Sequence, residues 1–90
     1  MIVEFNKCFV KDFKVLPEYA QKAVNEIHSQ ITETSALHNI PNCIKLQGSD
    51  NLYRVRLGDY RLILLLYISG DTVEFRRVLS RGQAYKKHVK

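Results

Sequence analysis

Ninety residues are enough for one domain with a single core that needs no disulfide or metal to hold it. The composition, 46% apolar, is that of a soluble globular protein, and no stretch approaches the length of a membrane span. Nor does a charged-then-apolar leader follow Met1, so the cytoplasm is the expected location and no membrane partner is expected. Residues 1–48 carry five lysines and five acids, whereas residues 49–90 hold all six arginines and the whole net charge of +5. Such a split points to one polyanion-facing surface, with nucleic acid as the default partner and an acidic protein as the other.

Met1–Phe5 is short, apolar and β-prone, a strand expected to join a later sheet. Asn6 can cap a helix in the next segment, where Phe9, Phe13 and Leu16 recur at helical spacing with Lys7, Lys11, Asp12 and Lys14 turned outward. Pro17 stops that helix and starts the next, which Ala20, Ala23, Val24, Ile27 and Ile31 mark as about four turns. The two helices are expected as an antiparallel hairpin across one face of the sheet. Ala36–Asp50 has few periodic cues and reads as irregular, with Ile40, Ile44 and Leu46 tacking it to the core. Cys8 and Cys43 have no paired spacing and read as buried small apolar side chains in a reducing compartment.

Leu52–Arg81 reads as three consecutive antiparallel strands: Leu52–Leu57, Tyr60–Ile68 and Thr72–Ser80. Gly58-Asp59 is a two-residue hairpin loop with Gly where positive φ is needed, and Gly70-Asp71 a second tight turn. The first loop sets Leu57 opposite Tyr60, Arg56 opposite Arg61, Val55 opposite Leu62 and Arg54 opposite Ile63. Side chains alternate between faces, so Tyr53, Val55, Leu57, Tyr60, Leu62 and Leu64 share the core face. Arg54, Arg56 and Arg61 share the other, beside an outward Ile63, Leu65 and Tyr67. Like charges directly opposite destabilise a sheet, so the trio reads as a site for an anion, a phosphate first. In the last strand Val73, Phe75 and Leu79 fall on the core face and Arg76 on the basic face. Arg77 also falls inward, which requires a rim position or a bulge. The chain ends in a basic tail with Tyr85, Lys86 and Lys87, a candidate short helix.

The stretch Tyr53-Arg54-Val55-Arg56-Leu57-Gly58-Asp59-Tyr60-Arg61-Leu62 resembles the RelE/ParE superfamily of bacterial toxins from toxin–antitoxin pairs. Val78-Leu79-Ser80-Arg81, Tyr85-Lys86, and the opening Val3-Glu4-Phe5 with Phe9-Val10-Lys11-Asp12-Phe13 share in the resemblance. It covers nearly the whole chain and implies an α+β fold of β-α-α-β-β-β order over residues 1–90. It also implies a cognate antitoxin as partner and no metal or other cofactor. The family's better-known branch cleaves messenger RNA on the ribosome by attack of the ribose 2′-hydroxyl on the adjacent phosphorus. Carried onto this chain, the working residues are Arg54, Arg56, Arg61, Arg81 and the tail aromatic Tyr85, with Arg76, Lys86 and Lys87 binding RNA.

This sequence departs from that branch in having Arg54 and Arg56 where the cleavers tend to have lysines. Arginine stays protonated, so it can stabilise a phosphorane but hardly serve as the base. The alternatives on the same fold are a ParE-like inhibitor of DNA gyrase and a degenerate toxin that only binds its antitoxin. Arg61 and Arg81 lie off the helix-packed face, so their replacement by alanine is expected to spare the fold. His28, His38 and His88 share no metal-ligand spacing and read as surface residues.

Overall fold

The computed structural model describes residues 1–82. In chain order it contains β1 (Ile2–Phe5), α1 (Lys7–Lys14), α2 (Glu18–Glu33), a 3-10 turn (Leu37–Asn39) and β2 (Cys43–Lys45). β3 (Leu52–Leu57), β4 (Tyr60–Leu66) and β5 (Thr72–Ser80) complete the order. One sheet runs in the order β1-β5-β4-β3-β2, antiparallel except that β1 lies parallel to β5. The expected C-terminal helix, with Tyr85, Lys86 and Lys87, lies outside the described residues.

Local chemistry accounts for the helices. Asn6 caps α1, its side-chain oxygen accepting from Cys8 N–H at 2.8 Å. Pro17 takes the N-cap position of α2, and Gln21 on α2 donates at 2.9 Å to the carbonyl of Phe13, which also accepts from Leu16 N–H at the end of α1. The stripe Ala20, Val24, Ile27 and Ile31 is buried, as its spacing predicts. α1 lies against β5, while α2 reaches β1 and β3. A cleft of about 460 Å³ opens between them, walled by Phe5, Phe9, Phe13, Val24, His28 and Phe75. Beneath the helices Val55, Leu62, Leu64, Val73 and Phe75 are fully buried, each worth about 1.5–3 kcal/mol relative to exposure.

The structure corrects four expectations about the strands and their connections. The segment Ala36–Asp50 is not wholly irregular, because Cys43–Lys45 pairs with Tyr53–Val55 and makes the sheet five-stranded. Ile40 and Leu46 anchor the segment, but Ile44 is exposed on this outermost strand. The β4–β5 connection is a four-residue loop, 68–71, because Tyr67 N–H already donates to the carbonyl of Thr72. Finally, Val78 rather than Leu79 joins the helix-side core. Ile63 pairs with Arg77 and Leu64 with Phe75, so Arg76 is an extra residue and the alternation shifts by one beyond it.

Candidate functional site

The site grows from the β3–β4 turn. Gly58 sits at φ +62° and Asp59 outside the positive-φ region, the pattern of a type II′ hairpin. Such a two-residue loop fixes register, and the pairs are Leu57–Tyr60, Arg56–Arg61, Val55–Leu62 and Arg54–Ile63, as the sequence predicts. Arg54 and Arg56 therefore sit on the sheet face away from the helices. Arg56 is exposed, and Arg54 is half-buried with Ile44 and Ile63 on its neighbouring strands.

Arg61 shares that face but is not an open surface cation. It is only 6% exposed, and its Nη1 donates to the carbonyls of Gly58 at 2.7 Å and Tyr60 at 2.9 Å. The guanidinium bends back over its own turn. Replacement by alanine would strip two part-buried carbonyls of this donor, so Arg61→Ala is expected to cost stability rather than leave the fold untouched. Ile63, expected as an outward contact, is likewise fully buried.

β5 brings the remaining arginine to this end. Leu79 pairs with Arg61 and Ser80 with Tyr60, and Arg81 N–H donates to the carbonyl of Asp59 at 2.9 Å. Arg56 on β3, Arg61 on β4 and Arg81 immediately after β5 thus come to one turn. Arg81 is exposed. On the helix side Tyr19 packs against Tyr60, ring centroids 6.4 Å apart, an aromatic pair the sequence reading missed. Desolvation, Tyr60 and the Asp59 carboxylate hold the Tyr19 hydroxyl pKa above its ordinary value.

The other arginines are not brought to this end. Arg76 pairs with Glu74 at 3.4 Å, where Tyr67 also donates to Glu4 at 2.6 Å, so its surroundings are acidic. Arg77 reaches Asp12 of α1, with Nε to Oδ2 at 2.7 Å and Nη2 to Oδ1 at 3.1 Å. The bulge thereby supplies the way out that an inward arginine needs. Asp12, expected among the outward lysines, faces the sheet instead. Its sequence signal was that it is the one acid in a helix with three lysines.

His28 is not a simple surface histidine: its ring packs on Phe5 and Phe75 at the cleft wall. His38 is exposed on the 3-10 turn. Burial pushes the Cys43 thiol up to about 11, so it is not a reactive thiolate. Among the described residues no three His, Cys, Asp or Glu side chains group as a metal site would require.

Comparison with known proteins identifies the family. Residues 3–85 match the family model described as ParE toxin of type II toxin–antitoxin system, parDE. Toxin RelE3 of Methanocaldococcus jannaschii is 38% identical, over 94% of this chain and 96% of that protein. The RelB–RelE antitoxin–toxin complex from Methanococcus jannaschii contains a chain 34% identical that superposes with a TM-score of 0.80. That match covers 93% of this chain and 96% of that one. The archaeal RelE–RelB complex from Pyrococcus horikoshii is 28% identical with a TM-score of 0.72, covering 92% and 97%. These matches run over nearly the whole chain: it belongs to the RelE/ParE family, as a RelE-like toxin of a type II toxin–antitoxin system.

Proposed function

We propose that this toxin arrests translation by cutting messenger RNA on the ribosome, without a metal. The observation that carries the reading is the convergence of Arg56, Arg61 and Arg81 around the Gly58–Asp59 turn. In the reaction a ribose 2′-oxygen loses its proton and bonds to the adjacent phosphorus while the bond to the 5′-oxygen breaks, leaving a 2′,3′-cyclic phosphate and a 5′-oxygen that takes up a proton to become a hydroxyl. Charge accumulates on the phosphoryl oxygens, and fixed guanidiniums stabilise it. Arg56 and Arg81 meet the phosphate from the exposed rim, with Arg54 beside them. Arg61 holds the turn on which they are arranged. No arginine serves as base, so the proton of the 2′-hydroxyl leaves to another acceptor. Tyr85, Lys86 and Lys87, which lie outside the described residues, are assigned RNA contacts on the family resemblance alone.

The cognate antitoxin is the second partner, as the solved RelB–RelE and RelE–RelB complexes of the neighbours suggest. Half-exposed Phe5 and Val10 at the cleft mouth are apolar surface for it to cover. Primer extension on a reporter message in a purified translation system tests the activity. New in-frame 5′ ends, formed only while ribosomes translate, support it. Intact message would turn to the second reading, inhibition of DNA gyrase, which the ParE name of the matching family model favours and a supercoiling assay measures.

A further inference from the structure

β5 has a strand on both sides only for its first half. β1 pairs with it from Thr72 to Phe75, and Asn6 N–H adds one bond to the carbonyl of Phe75. There the chain of β1 turns away into α1. The bulge at Arg76 falls at the same point, so β5 loses its outer neighbour where its own regular pairing is interrupted. Beyond the bulge β5 is held by β4 alone, from Arg77 to Ser80, and a segment paired on one side opens more readily than one paired on both. A slip of one residue would exchange Val78 with Leu79 between the faces and carry Arg81 off the turn.

Asp12 occupies that gap. Its Oδ2 accepts from Val78 N–H at 3.1 Å, the backbone group a continued β1 would have bonded. The same oxygen accepts from Arg77 Nε at 2.7 Å and Oδ1 from Arg77 Nη2 at 3.1 Å, a bidentate pair. The carboxylate is largely shielded, its side chain 16% exposed. Helix α1 therefore grips β5 immediately after the bulge, through both backbone and side chain. Three residues on, Arg81 N–H closes the strand onto the carbonyl of Asp59.

We infer that Asp12 is a positioning residue: its carboxylate holds the bulged end of β5 so that Arg81 meets the Gly58–Asp59 turn. Its importance for catalysis rests on the function proposed above, but its effect on the strand does not. The test is amide hydrogen exchange by NMR on the whole chain, read at Val78 and Arg81 against Val55 and Leu62 in the centre of the sheet. In Asp12→Ala, exchange at Val78 and Arg81 accelerates on the order of tenfold more than at the central amides. In Asp12→Asn the carboxamide oxygen still accepts from Val78, and most of that protection returns. Cleavage by Asp12→Ala falls in kcat with KM nearly unchanged, and Asp12→Asn restores it. Arg81 exchange that is unchanged, or that rises only in step with Val55 and Leu62, overturns the inference. A wild-type chain that cuts no message, with the local exchange result as expected, instead removes the proposed activity and leaves the positioning role standing.

Discussion

The two hairpins of the meander end in opposite chemistries. The β3–β4 turn takes two residues, is locked by the Arg61 guanidinium, and gathers Arg56 and Arg81 around it. The β4–β5 loop takes four residues and leaves Ile68 fully exposed. Near that end Asp71 bonds the hydroxyls of Ser69 and Thr72, while Glu4 and Glu74 engage Tyr67 and Arg76. One sheet thus carries a cationic, tightly built end and an acidic, loosely built one. A charge count over residues 49–90 averages the two and conceals the polarity.

Breaking the cationic end at its lock has the largest expected effect. Arg61→Ala should lower stability by about 2–3 kcal/mol in chemical denaturation and lose growth inhibition with it, because charged donors to two carbonyls vanish. Arg81→Ala separates site from scaffold. Growth inhibition should fall about a hundredfold while the unfolding midpoint stays put, and Arg76→Ala at the acidic end should change neither appreciably. Gly58→Ala probes the turn alone. An added Cβ meets nothing within 4 Å, so the cost is that of φ +62°, about 1–2 kcal/mol.

The smallest effect belongs to the acidic end. Hydrogen bonds from Ser69 and then Thr72 hold the Asp71 carboxyl below the ordinary aspartate range. Below about pH 4 the unfolded chain binds the proton more readily, so stability present above that range is lost as pH falls through it. Asp71→Asn should remove this acid-side slope from the melting temperature and leave growth inhibition intact. On the function proposed above, RNA binding at the other end should weaken steeply between low and moderate salt, and binding that does not change would remove the phosphate contacts from that proposal.

Much of this was accessible from the chain alone. Alternation over Leu52–Leu57 and Gly58-Asp59 predicts the hairpin pair by pair, because a two-residue loop leaves one register. Helical spacing likewise predicts the buried stripe of α2, and the resemblance of the YRVRLGDYRL stretch predicts the family. These depend on local dihedrals and on periods of 2 and 3.6 residues, which sequence displays directly. What tertiary structure decided is where competing faces had to be reconciled. The bulge at Arg76 forms between β4 and β5, and no local signal there marks the extra residue. β2 is three residues long and exists only because β3 offers it an edge. Arg61 reads as a surface cation until its strand neighbours are in place, and Asp12 as solvent-facing until β5 loses β1 beside it. Each of these depends on which backbone groups remain unpaired after the sheet assembles, a property of the assembled sheet and not of any one segment.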